Sequence, residues 1–215
     1  MILKRLKVNV GNMLGINSYI IQDEETKEAM VIDPGGSIDK IVEMLTVLDA
    51  KVKYIVLTHC HGDHISGVNE LRDRVGGKVL IHRFDQPGLS DSELNMSIHI
   101  GVGPIVVKED ARVDDGDLLH IGKIEFRVIH TPGHTRGGIC LYCEKEGLLF
   151  SGDTMFKGIW GRTDLPTASF EEIIDSITNK LMLLPNDVIV YPGHGRMTRI
   201  GDEKQIYLNL QPQNN

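Results

Sequence analysis

Apolar and polar positions alternate from the first residues. Ile2, Leu6, Val8 and Val10 fall on one face and Arg5, Lys7 and Asn9 on the other, the pattern of a half-buried edge strand. Residues 11–17 read as a turn. Residues 18–22 and 29–32 read as a hairpin around the charged run 23–27. Behind Asp33-Pro34-Gly35-Gly36, the positions Ile38, Ile41, Val42, Leu45 and Leu48 form one helical stripe, with Ser37 as its expected cap. Residues 54–57 read as a buried strand, followed by a helical pattern at Ile65, Val68, Leu71 and Val75. Lys78–His82 is a short strand, and 83–103 is polar and aperiodic, a long loop. Leu118–Ile121 and 123–129 pair around Gly122. Residues 139–143, 148–150 and 188–191 are further strands. Ser169-Phe170-Glu171-Glu172 is a capping box, opening a helix with Phe170, Ile173, Ile174, Ile177 and Leu181 on its buried face.

The chemistry lies where these strands stop. The strand at 54–57 runs into Thr58-His59-Cys60-His61-Gly62-Asp63-His64, placing three histidines and an aspartate in one strand-to-helix turn. Imidazole and carboxylate together suit zinc, iron or manganese. A closed structural zinc site takes four ligands, mostly Cys and His; this set is richer in oxygen and already holds enough groups to start two sites. Three later strands end in glycine followed at once by a metal-type side chain: Gly133-His134, Gly152-Asp153 and Gly193-His194. Several such strand ends point to one convergent site. Asp33 also ends a strand, either as a turn residue or as the hydrogen-bond acceptor of a ligating histidine. Asp114-Asp115-Gly116-Asp117 lacks the spaced ligands and distal glutamate of a calcium loop and reads as a solvated turn. His82 and His130 read as packed or locally hydrogen-bonded; His99, His120 and Trp160 carry no assigned role.

Composition narrows the classes. A net charge of −7 over 215 residues argues against a nucleic-acid surface. Lys4, Arg5 and Lys7 interrupt the amino-terminal apolar positions, so no signal peptide is read there, and no apolar run spans a bilayer. The three cysteines, an odd number, suggest a reducing, cytoplasmic location. Cys140 and Cys143 stand three apart on a strand, point to opposite faces and read as small hydrophobes. Cys60 reads as a spacer between ligands. The sequence carries no signal for oligomeric state.

The set His59, His61, Asp63, His64, His134, Asp153 and His194 resembles the His-x-His-x-Asp-His…His…Asp…His signature of the metallo-β-lactamase fold family, over essentially the whole chain. The resemblance implies an α/β (α+β) fold, a four-layer αββα sandwich of two mixed sheets flanked by helices, as one domain over 1–215. Within the family, residues 58–67, 130–135 and 152–164 look like glyoxalase II (hydroxyacylglutathione hydrolase), most like its short single-domain members. That branch implies two divalent metal ions, zinc first, with iron or manganese as alternatives. His59, His61 and His134 would hold one, Asp63, His64 and His194 the other, and Asp153 would bridge them. It further implies catalytic roles for Asp63 and Asp153, and attack of a metal-bridging hydroxide on a small thioester of the hydroxyacyl-glutathione type. Arg162 matches a basic position that contacts the glutathione carboxylate in relatives; the other reading is a surface arginine paired with Asp164.

Two departures bear on the substrate. Residues 195–215 are too few for the helical carboxyl-terminal domain that supplies glutathione contacts in full-length enzymes, and Asp164 stands where relatives place a tyrosine. The hydrolytic centre is therefore better founded than glutathione specificity. Persulfide dioxygenases share Thr-His-Cys-His-x-Asp-His-Ile and Gly-Arg-Thr-Asp with this chain, and use one iron at positions matching His59, His134 and Asp153. A non-catalytic metal-binding protein would be marked by a missing ligand, and none of the seven is missing.

Overall fold

The strands sort into two six-stranded sheets. In the computed structural model, which describes residues 1–208, the first sheet takes β1 (Ile2–Val10), β2 (Met13–Gln22), β3 (Glu28–Ile32), β4 (Lys51–Val56), β5 (Lys78–His82) and β6 (Ala111–Val113) in that order. The chain enters it as antiparallel hairpins β1–β2–β3 and continues in parallel through β4, β5 and β6. The second sheet holds β7 (Leu118–Ile121), β8 (Ile124–His130), β9 (Ile139–Cys143), β10 (Leu148–Gly152), β13 (Ile189–Pro192) and β14 (Thr198–Arg199). Its one parallel pair is β10–β13. The short strands β11 (Met155–Phe156) and β12 (Ile159–Trp160) pair separately. Both sheets are mixed.

Side-chain alternation makes three apolar layers. Ile20, Val31, Ile55 and Val79 turn outward from the first sheet and meet α1 (Ile38–Val47) and α3 (Val68–Val75) through Ile41, Leu45 and Leu71. Tyr19, Ile21, Met30, Ile32 and Val56 turn inward and pack on Phe126, Val128, Leu141 and Phe150 of the second sheet. Cys140, Leu149 and Val190 face out from the second sheet toward α4 (Phe170–Asn179) and α5 (Ile200–Leu208), through Ile173, Ile177, Ile200 and Tyr207. Helix, sheet, sheet and helix thus form the four-layer αββα sandwich. Cys143 packs between the sheets and Cys140 on the outer face, as their spacing requires. No described helix is long and apolar enough to cross a membrane.

Several local expectations are corrected. The turn expected over 11–17 shrinks to two residues, because β2 starts at Met13, paired with Val10. The polar Asn17 disguises the start of the strand, yet it is fully buried, as is Ser18 beside it. Ser37 does not cap α1: its backbone is left-handed (φ 50°), and its hydroxyl accepts from the Asn9 amide instead. The stripe after residue 64 is two helices, a single turn α2 (Gly62–Ile65) and then α3, because Gly67 breaks away to donate its N–H to Pro34 O. The capping box is half made. Ser169 Oγ accepts from Glu172 N, but the Ser169 amide donates to Gly133 O, so Glu172 has nothing to return to. Phe170 lies off the buried face, half exposed against the Trp160 ring. The stretch 83–103 contains a 3-10 turn at Gln86–Ser90 and buries Leu89, Asn95 and Ser97. Positions 209–215 of the expected domain lie outside the described residues.

Candidate metal centre

The loops that leave β4, β8, β10 and β13 meet at one edge of the sandwich and bring all seven sequence-flagged side chains together. Leu57 and Thr58 carry the chain from β4 to His59. His61 sits with extended backbone (φ −65°, ψ 145°) just before α2, whose single turn presents Asp63 and His64. The loop after β8 supplies His134, that after β10 supplies Asp153, and that after β13 supplies His194. Six of the seven are buried; His194 is partly so.

Two groups of three stand side by side. His59, His61 and His134 form one, and Asp63, His64 and His194 the other; in each, the potential ligand atoms lie within 4.8 Å of one another. His61 Nδ1 and His134 Nε2 are 2.9 Å apart, and His194 Nε2 is 3.2 Å from Asp63 Oδ2. Asp153 lies between the groups. Its Oδ2 is 3.6 Å from His134 Nε2 on one side and 3.4 Å from His194 Nε2 on the other, and its Oδ1 is 3.5 Å from His64 Nε2.

The donor set fits metal ions. His59 Nε2, His61 Nε2 and Asp153 Oδ1 are buried with no hydrogen-bond partner among the described residues, a state costing about 1–3 kcal/mol each unless something coordinates them. Nitrogen and carboxylate oxygen donors suit zinc, manganese or iron. Their hydrogen bonds also aim the rings. His64 Nδ1 donates to Asp33 Oδ2 at 2.9 Å, and His134 Nδ1 donates to Arg162 O at 2.9 Å, leaving each Nε2 turned to the cluster. Asp33 is both things the sequence allowed: a left-handed turn residue (φ 50°) and an acceptor behind a histidine.

Electrostatics divide the rings the same way. Burial, reinforced by neighbouring histidines, holds His59 and His61 well below the ordinary imidazole value and keeps them neutral. Burial also disfavours charge on His64, but Asp153, Asp63 and Asp33 outweigh it and push its pKa up to about 10. His194 is raised against the same burial by Asp153 and Asp63. Asp63 is depressed despite burial, held ionised by His64 and His194.

The frame holding this cluster includes residues that sequence reasoning missed. Asp85, fully inside, accepts from Cys60 N (2.9 Å), Thr135 Oγ1 (2.7 Å) and Gly137 N (2.6 Å), tying the His59–His61 loop to the His134 loop. Asn17 Nδ2 and the Tyr19 hydroxyl both donate to Pro192 O, at 2.9 and 2.6 Å, and so hold the His194 loop from the opposite sheet. Asn95 O accepts from Gly62 N at 2.6 Å, beside His61. Two glycines are required by close approach. A β-carbon on Gly193 would stand 2.2 Å from Asp153 Oδ1, and one on Gly152 (φ +47°) 2.4 Å from Thr58 Oγ1.

A pocket of about 450 Å³ opens over the cluster. His61, Asp63, His134, Asp153 and His194 form its floor, Met13, Met96, Ile100, Phe156 and Leu165 line its walls, and Arg162 and His99 complete the lining. His99 had no assigned role; only the folded loop 83–103 brings it here.

Residues 11–194 match the family model of the metallo-β-lactamase superfamily. The chain belongs to that superfamily. It is 34% identical over 195 residues to the hydroxyacylglutathione hydrolase GloC of Haemophilus influenzae, covering 88% of this chain and 90% of that one. Among solved structures of the superfamily fold, it resembles the B3 metallo-β-lactamase BLEG-1, at 35% identity and TM-score 0.88, covering 98% of this chain and 100% of that one. A di-iron-bound form of TTHA1623 is similar at 27% identity and TM-score 0.81, covering 94% and 98%. ETHE1 from Myxococcus xanthus is similar at 28% identity and TM-score 0.76, covering 100% and 93%. As a superfamily member with clustered His and Asp side chains that could hold metal ions, the chain is of the metallo-hydrolase type.

Proposed function

We propose that this protein is a metal-dependent hydrolase of small thioesters, of the hydroxyacyl-glutathione type. The observation that carries the reading is Asp153, whose carboxylate lies within 3.6 Å of His134 on one side and 3.4 Å of His194 on the other. Such a placement suits a carboxylate shared by two cations, with His59, His61 and His134 holding one and Asp63, His64 and His194 the other. Zinc fits this donor set first, with iron or manganese as alternatives. When bound, a pair of divalent ions supplies Lewis acidity, which activates water near neutral pH and polarises an acyl carbonyl.

The chain's own groups supply the rest. Asp63 and Asp153 line the pocket beside the ring nitrogens, and are the two carboxylates proposed to act on the reacting atoms. Asp63, held ionised by its histidine neighbours, stays a carboxylate able to hold a cation or to orient a water beside the cluster. A thiol has a pKa near ~8.5, so a thiolate departs without a dedicated acid. No serine or cysteine is among the described residues lining the pocket, and burial pushes the Cys60 thiol far up, so a covalent acyl-enzyme is not part of the reading. The three free, buried cysteines support a cytoplasmic location.

The test is anaerobic thiol release from S-lactoylglutathione by protein reconstituted with zinc or manganese. Release by the native chain, abolished by Asp153→Asn, is expected; no release from the reconstituted native chain contradicts the reading. The runs Thr-His-Cys-His-Gly-Asp-His-Ile at 58–65 and Gly-Arg-Thr-Asp at 161–164 support a second reading, a mononuclear-iron glutathione persulfide dioxygenase. That reading calls for oxygen uptake in step with persulfide loss.

A further inference from the structure

The loop around Met96, aperiodic in the sequence, folds into a firmly held wall of the pocket. Asn95 and Ser97 are fully buried and anchor it from within: Asn95 Nδ2 donates to Gly88 O at 2.8 Å, and Asn95 Oδ1 accepts from Ser97 N at 3.0 Å. Between these two anchors stands Met96, half-buried and lining the pocket, with a left-handed backbone (φ 60°). Few side chains outside Gly, Asn and Asp adopt that conformation, and it persists only where neighbours enforce it. Ile100, also half-buried in the lining, accepts from Asn12 N at 3.0 Å through its carbonyl. A β-carbon on Gly11 (φ +50°) would stand 2.2 Å from that oxygen. The tip of the β1–β2 hairpin, which brings Met13 to the pocket, is thereby joined to the loop. Met13, Met96 and Ile100 make one apolar wall. The polar groups of the lining above the floor are exposed and partnered: His99 lies 3.4 Å from Glu93 Oε2, and Arg162 donates to both carboxylate oxygens of Asp164, at 2.9 and 2.8 Å.

We propose that Met96 and Ile100 determine acyl specificity: with Met13 they seat the acyl arm of the thioester, so the pocket favours acyl groups with an apolar chain beyond the second carbon. This rests on the thioester-hydrolase reading and leaves its glutathione-type carrier as it stands. The reacting carbonyl has to stand over the floor, so the two arms of a thioester run to the walls. A peptide carrier brings amides and charges, and each of these loses a hydrogen-bond partner when pressed on methionine and isoleucine side chains. The acyl arm brings no polar atom beyond its 2-hydroxyl, and that group, one carbon from the carbonyl, stays near the floor. Carbons further along the chain are the part of the substrate that this wall rewards by burial. The two methionines, unbranched and adaptable, fit chains of several lengths.

The experiment titrates the zinc-loaded protein with acetate, butanoate and hexanoate, the acids that cleavage of the matching thioesters would leave, and follows binding by NMR. Against a half-buried wall about twofold per methylene is expected, so hexanoate should bind on the order of tenfold more tightly than acetate. Met96→Ala and Ile100→Ala are each expected to cut that ratio to about threefold, and Met96→Leu, which keeps the apolar bulk, to hold it near the native value. Ile100→Ala leaves the bond from Asn12 in place, because the backbone carbonyl makes it. A native ratio of about twofold or less overturns the proposal, as does a native-sized ratio that survives in both alanine variants. No probe is cleaved, so the outcome separates from the reaction. Thiol release from S-lactoylglutathione without any chain-length preference would sink the acyl seat and leave the hydrolase reading standing. The expected preference with no thiol released from any thioester would do the reverse.

Discussion

His64 Nδ1 lies 2.9 Å from Asp33 Oδ2, deep beneath the metal-type cluster. Asp33 is itself fixed by Thr58, whose amide and hydroxyl donate to its two oxygens at 2.8 and 2.6 Å. One carboxylate behind the site therefore sets the tautomer and tilt of His64 and anchors the start of the ligand loop. Asp33→Ala is expected to weaken divalent-metal affinity roughly 10–100-fold, the usual effect of losing such a partner. Competition with a chromogenic chelator measures it; unchanged affinity would show that His64 is oriented by packing alone.

Metal uptake at this site should release a proton. Without metal, the three carboxylates around His64 hold its pKa at about 10, so the ring is protonated at pH 7, and ligation by Nε2 requires the neutral form. The sign follows directly: affinity should rise with pH between about 6 and 9, because each step upward lowers the cost of removing that proton. Titration calorimetry of zinc binding in two buffers of different ionisation enthalpy counts the protons released. Equal apparent enthalpies in both buffers would contradict this.

Gly193 leaves no room for a side chain, since a β-carbon there would stand 2.2 Å from Asp153 Oδ1 and 2.7 Å from His64 Cε1. Gly193→Ala should displace the carboxylate lying between the two groups while leaving the sheets intact. Roughly 10²-fold loss of thioester hydrolysis is expected, on the scale of an ångström-sized misplacement at a reacting centre. Unchanged far-ultraviolet circular dichroism and a lowered metal content should accompany it. Native turnover in this variant would show that Asp153 has freedom the geometry denies it.

Asp85 joins two ligand loops through three accepted hydrogen bonds, and burial raises its pKa even so. Asp85→Ala strands the buried amides of Cys60 and Gly137, at a cost of roughly 2–4 kcal/mol. Denaturant unfolding of the metal-free protein should register this loss, with weaker metal binding because His59, His61 and His134 lose their common brace. A loss below about 0.5 kcal/mol would assign the brace elsewhere.

The strands were legible wherever one face is apolar, as in β1, β5 and β8, and the ligands were legible because histidine and aspartate crowd where apolar strands end. Polar residues that serve a distant partner gave no local sign. Asn17 broke the apolar pattern at the start of β2, yet it holds Pro192 O, 175 positions later. Asp85 and Asn95 lie in an aperiodic stretch, and their partners are loop amides that only the tertiary fold brings near. The expected caps departed for a related reason: the Asn9 amide claims the Ser37 hydroxyl, and Gly133 O claims the Ser169 amide, so Ser169 keeps only the side-chain half of its box. Local motifs lost where long-range backbone groups offered a competing partner. His99 reached the pocket wall by the same route, through a loop whose path no periodicity marks.

The central claim is that two groups of three, with Asp153 shared, each hold one cation. Native mass spectrometry of zinc-loaded protein tests it most directly. The account predicts two zinc ions per native chain, one in His61→Ala, one in His194→Ala, and loss of both on replacing Asp153 by Ala. A native chain that takes up no ion, or a count of two that survives in both histidine variants, would contradict it.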